Sequence, residues 1–129
     1  MTTVDLADLK RLGLTAEGRM NQTYDDYLPF ADVLVSGHAP IKIGEQLLNI
    51  AATDDDFRDV SIAEHLTYID MVKRFPRLKQ VNMHFGHRRR LDEEQREGRE
   101  GDYDRLIEAI LQIAAYASER NIEVVLENM

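Results

Sequence analysis

Four side chains able to bind metal or move protons stand at matching places in this chain. Glu17, His38, His84 and Glu127 each fall at the end of a segment that reads as a β-strand. Imidazole and carboxylate are the usual ligands of Zn²⁺, Mn²⁺ and similar divalent ions. An ion held by them polarises a sugar carbonyl or a phosphoryl oxygen, and a nearby carboxylate can carry a proton. Taken singly, each histidine is better explained as a polar cap where a strand meets water. Their recurrence at consecutive strand ends gives the set its weight.

The elements that must position them alternate along the chain. "VDLADLKRLG" predicts a short helix through Val4, Leu6, Leu9 and Leu12, closed by Gly13. "LTAEGRM" is a brief strand ending near Glu17, and "YDDYLPFA" a turn or single helical turn broken by Pro29. "DVLVSGHAP" gives an apolar strand over Val33 to Val35, ended by Ser36-Gly37. Residues 41 to 60 fit a short helix in "IGEQLLNIA" followed by an acidic loop around "TDDDF". In "SIAEHLTYIDMVKRF", Ser61 and Glu64 have the spacing of a capping box. Ile62, Leu66, Ile69 and Met71 or Val72 form its apolar face, and Pro76 ends the helix. "LKQVNMHFG" is a strand and "HRRRLDEEQREGREG" a charged loop. "DYDRLIEAILQIAAYASERN" is a long helix capped by Asp102, with Leu106, Ile107, Ile110, Ile113, Ala114 and Ala117 as its stripe. Asn121 suits a left-handed exit before the last strand, "IEVVLEN".

Apolar strands separated by amphipathic helices indicate an α/β fold with a parallel sheet. Right-handed crossovers then bring every strand's carboxyl end to one edge, where such folds keep ligands and catalytic groups. Glu17, His38, His84 and Glu127 are therefore expected to converge.

At 129 residues, the chain is the size of one domain, and 43% hydrophobic residues suffice for one core. No apolar run approaches the roughly 18 residues of a membrane span. The N-terminus lacks the pattern of an export signal, and cysteine is absent. Disulfides, thiolate metal sites and cysteine nucleophiles are thereby excluded, and a cytoplasmic location is expected. The formal charge of −8 repels phosphate backbones and counts against nucleic acid as a partner. "HRRR" at 87–90 could draw in a phosphate, or be a solvated loop balanced by "DEEQREGRE". His65 is expected at a helix boundary with solvent, His87 as a partner for His84, and the five tyrosines as packing residues with polar tips.

"VSGHAP", "VNMHFG" and "VVLENM", in that order and spacing, resemble the xylose isomerase-like TIM-barrel superfamily, which holds sugar phosphate isomerases and epimerases and the endonuclease IV enzymes. The resemblance implies a partial (β/α)₈ barrel, about half of one, as a single domain over residues 1–129 without the first strand and the C-terminal half. It implies a divalent metal (Mn, Mg, Co or Zn) held by Glu127, His84 and His38. Glu127 and His84 would be catalytic, and His38, Glu17 and Asn128 would face the substrate, a small sugar or sugar phosphate. In the isomerases Glu127 would also move a proton beside the carbonyl. The alternatives are an endonuclease IV-like phosphodiesterase and an inactive half-barrel. A half-barrel leaves strand edges open, so a homo-oligomer or a complementary half is the expected associate.

Overall fold

The computed structural model of the chain describes residues 16–18, 23–84 and 103–127. The N-terminal helix expected at Val4–Leu12, the Asp102 cap, the "HRRR" loop with His87, and Asn128 lie outside these residues. In chain order come β1 (Ala16–Glu17), α1 (Tyr24–Tyr27) with a 3₁₀ turn at Leu28–Phe30, β2 (Leu34–His38), β3 (Lys42–Ile43) and β4 (Gln46–Leu47). Then follow α2 (Asp55–Val72), β5 (Gln80–His84), α3 (Tyr103–Ser118) and β6 (Glu123–Glu127).

Four strands form one sheet in the order β1-β2-β5-β6, and every pairing is parallel. Successive strands of the sheet are thus spatial neighbours, with α2 and α3 in the crossovers, which is how the wall of a (β/α)₈ barrel is laid. The expected α/β class and parallel sheet are present. β3 and β4 form a separate antiparallel hairpin.

Side chains alternate across a strand, so the two faces of this sheet differ. Val81 and Met83 of β5 face the helices and are each 1% exposed. They share a core with Ile62, Ile69 and Val72 of α2 and Ala109, Ile113 and Ala117 of α3. Gly37 of β2 meets Tyr68 of α2 so closely that a Cβ there would overlap the tyrosine hydroxyl. The absence of a side chain at 37 sets how near α2 can lie to the sheet. The opposite face carries Glu17, Ser36, His38, Gln80, Asn82, His84 and Glu127, as the register pairs show.

Several expectations need correction. β2 does not stop at Ser36-Gly37 but runs to His38, because Ser36, Gly37 and His38 pair with Gln80, Val81 and Asn82. Ladder pairing overrides the weak strand preference of small residues. Residues 41–47 form a hairpin, not a helix, turning where Gly44 takes φ 61°. The acidic run is not a loop but the start of α2: Asp54 caps it, accepting from the Phe57 N–H at 2.9 Å. Asp55 and Asp56 then lie in the first turn, where the helix dipole favours negative charge. Ser61 is therefore no cap. It is fully buried in mid-helix, and its hydroxyl accepts from the Asn49 N–H at 2.9 Å.

His65 is not at a boundary with solvent. It is 3% exposed, and its Nδ1 donates to the Ser61 carbonyl at 2.7 Å. Burial pushes its pKa down, against the smaller opposing effect of that hydrogen bond. Tyr103 and Ile107 do not pack as expected either, being 71% and 39% exposed. Asn121 does take the left-handed conformation, at φ 60°.

Cross-links outside the core hold the helices in place. Arg58 donates to the Ile50 carbonyl and Arg105 to the Ala52 carbonyl, pinning the segment before α2. The Tyr116 hydroxyl on α3 lies 2.7 Å from both oxygens of Asp70 on α2, and Arg120 adds a contact at 3.3 Å. The tyrosine hydrogen bond holds the Asp70 carboxyl below its usual range.

Candidate metal centre

Three strand ends deliver three ligand-type side chains to one point. His84 and Glu127 are register partners across β5 and β6. His38 pairs with Asn82, two residues before His84, so the sheet's stagger sets the two histidines side by side. Their ring centroids are 4.9 Å apart. His38 Nε2 is 3.3 Å from Glu127 Oε2, and His84 Nε2 is 4.0 Å from the same oxygen. One ligand atom from each of the three lies within 4.8 Å of the others.

The hydrogen bonding around His38 limits what can lie between it and Glu127. Its Nδ1 is 2.9 Å from the Ala39 carbonyl, which can only accept, so Nδ1 carries the proton. In the neutral ring Nε2 is then a bare lone pair, and it faces a carboxylate oxygen, also an acceptor. Two acceptors at 3.3 Å repel unless a proton or a cation lies between them. A backbone carbonyl on the far ring nitrogen is also the usual way a metal-binding histidine is oriented. His84 Nδ1 is buried and has no hydrogen-bond partner among the described residues. Two imidazoles and a carboxylate suit Zn²⁺, Mn²⁺ or Co²⁺, so the donor set fits a divalent ion.

The strand under His38 is held from behind. The Tyr68 hydroxyl, at Gly37, is hydrogen-bonded to the His38 backbone and lies 3.0 Å from the Tyr27 hydroxyl. Burial pushes the pKa of both tyrosines up, so neither is a source of protons near neutral pH.

Of the residues read from sequence, His38, His84 and Glu127 come together as expected. Glu17 reaches the same face but not the ligand group: it accepts a hydrogen bond from the Asn82 amide. Asn82 in turn accepts from the Gln80 amide at 2.9 Å. Sequence reasoning missed Asn82 and Gln80. The signal was present in "QVNMH", where polar and apolar residues alternate.

No helix among the described residues is long and apolar enough to cross a membrane. Neither the curated proteins nor the solved structures contain a match to this chain. A family model, xylose isomerase-like TIM barrel, matches residues 19–129, a span that includes His38, His84 and Glu127. That superfamily contains isomerases, epimerases and endonuclease IV, and metal binding is common in it. The parallel strand order, the polar strand ends and this match over most of the chain agree: the protein belongs to the xylose isomerase-like TIM-barrel family.

Proposed function

We propose that this chain is part of the barrel of a metal-dependent isomerase or epimerase acting on a sugar or sugar phosphate in the cytoplasm. His38, His84 and Glu127 would hold the divalent ion, one of Mn, Mg, Co or Zn. The observation that supports this most is the approach of His38 Nε2 to Glu127 Oε2 at 3.3 Å with the other ring nitrogen committed to Ala39. That geometry calls for positive charge between them.

When bound, the ion would supply Lewis acidity, drawing electron density from a substrate carbonyl. The chain's own residues do the rest. His38 is locked in the tautomer that leaves Nε2 open. Glu127 has two oxygens, so one can face the ion while the other takes a proton from the carbon beside the carbonyl and returns it. His84 closes the remaining side of the cluster. Three protein ligands leave positions for substrate oxygens, as in catalytic rather than structural sites. The described strands make up four of a barrel's eight, and a second copy, a complementary half or further sequence would supply the others.

The test is proton exchange. The metal-loaded protein should incorporate deuterium from D₂O at the carbon beside a ketose carbonyl, and Glu127→Gln should abolish it, as followed by ¹H NMR. Cleavage of abasic DNA without ketose exchange would instead assign the chain to phosphodiester chemistry. Neither activity in protein shown to hold metal would refute the isomerase reading.

A further inference from the structure

We infer that Tyr68, backed by Tyr27, is a positioning residue for the metal centre: its hydroxyl anchors the main chain of His38 and thereby sets where that ring stands against Glu127. This rests on the metal-centre reading above and extends it to the helix side of the sheet.

Backbone groups along β2 point alternately to its two neighbours. The Val35 carbonyl and the Ala39 N–H bond to β5, meeting Lys79 N at 3.0 Å and the Asn82 carbonyl at 2.8 Å. The Ser36 carbonyl bonds to the other side, accepting from the Gly18 N–H at 2.7 Å. His38 is in phase with Ser36, so its N–H also points to the β1 side. Ser36 is already in register with Glu17, where β1 ends, so His38 lies beyond that strand. Such an N–H must find an acceptor. It donates to the Tyr68 hydroxyl, which stands where a ladder carbonyl would. Tyr68 in turn donates to the Tyr27 oxygen, 3.0 Å away.

Two glycines make room for this pair. A Cβ at Gly37 would overlap the Tyr68 hydroxyl, and one at Gly18 would lie 2.7 Å from the Tyr27 ring. Phenylalanine at 68 would fill the same space in the core but take this acceptor from the His38 N–H.

The path from main chain to ligand is short. The His38 ring is oriented by Nδ1 donating to the Ala39 carbonyl at 2.9 Å, and the Ala39 N–H is held by Asn82. With Tyr68 before the side chain and Asn82 after it, the backbone is fixed on both sides of the ligand. A binding constellation tolerates misplacement of only about 0.5 Å. A strand end free to turn at 38 would carry Nε2 away from Glu127 Oε2, which lies 3.3 Å from it.

The experiment compares wild type, Tyr68→Phe, Tyr27→Phe and Val72→Ala, the last a buried residue of α2 one turn beyond Tyr68. Co²⁺ affinity and visible spectrum are recorded for each, and amide hydrogen exchange is followed by NMR in the metal-free proteins. Tyr68→Phe should weaken Co²⁺ roughly tenfold, as for loss of a group that orients a ligand, and alter the cobalt spectrum. Exchange at the His38 amide should quicken roughly tenfold relative to Ala39 and Lys79 in the same protein. Tyr27→Phe should act in the same direction and more weakly. Val72→Ala should lower stability and leave both Co²⁺ readouts unchanged. Wild-type affinity and spectrum in Tyr68→Phe, or an equal loss of affinity in Val72→Ala, would overturn the inference. So would exchange that quickens uniformly along β2 and β5, the mark of a merely structural role. If Tyr68→Phe does not fold, Tyr27→Phe decides by the same criteria. If wild type binds no Co²⁺, the metal-centre reading fails on its own. Exchange quickened at His38 alone then still supports the anchor, and its absence overturns it.

Discussion

Along Gln80–His84 the chain alternates between two environments within five residues. Val81 and Met83 are each 1% exposed in the core shared with α2 and α3. Gln80, Asn82 and His84 face the other way, into a layer of amide, imidazole and carboxylate groups. One face of the strand holds the sheet to its helices. The other spends buried polar groups on positions that a more stable sheet would give to apolar residues. The contrast separates what keeps this domain folded from what it can bind, and substitutions on one face should leave the other's property largely intact.

Met83→Ala should show the largest effect on the core side. Removing this buried side chain is expected to cost about 2–5 kcal/mol in chemical denaturation, while the protein that remains folded keeps its metal affinity. Glu127→Gln should do the reverse, with stability changed by no more than about 1 kcal/mol. If both substitutions moved both properties together, the two faces would not be separable.

His65 sharpens the comparison, because it is a titratable group on the core side. Its folded-state pKa lies below that of a free imidazole. As pH falls from about 6.5, the unfolded chain takes up a proton there that the folded chain refuses, so unfolding becomes easier. His65→Asn should be less stable than wild type at neutral pH. Its stability should vary less between about pH 7 and 5, so that the two curves approach each other on acidification. Parallel curves would show that His65 does not titrate differently in the two states. The ligand-face histidines are present in both proteins and cancel in the difference.

The smallest effect is expected at the helix surface. Tyr116→Phe removes the largest cause of the lowered Asp70 pKa, and an NMR titration should find that carboxyl shifted upward, with Lys73 and Arg120 still acting to lower it. Global stability should hardly move, since Asp70 is substantially exposed.

The sequence made the parallel sheet and the convergence at its rim legible because both rest on strong signals. "LKQVNMH" and "IEVVLE" are strands bounded by amphipathic helices, and strand ends of one polarity must share an edge. Other features were hidden by local competition. The hairpin around Gly44 has strands of two residues, too short to show any period. The true cap of α2, Asp54, stands in a run of three aspartates, while Ser61 and Glu64 imitate a capping box about two turns into the helix. His65 falls on the buried stripe, three residues after Ile62 and four before Ile69, a spacing outweighed in the sequence reading by its polarity; the Ser61 carbonyl accepts its ring proton there. The Glu17–Asn82 link joins residues 65 apart and depends on the register of three strands. Only coordinates could show it.

The central claim is that His38, His84 and Glu127 form one cation site, and direct metal titration tests it best. Calorimetry of the purified chain with Zn²⁺ or Co²⁺ should give saturable binding of one ion per chain. His38→Ala, His84→Ala and Glu127→Gln should each weaken it by about 100-fold or more, beyond the roughly 10–100-fold seen when only a group orienting a ligand is removed. Absence of saturable binding, or affinity that survives all three substitutions, would contradict the account.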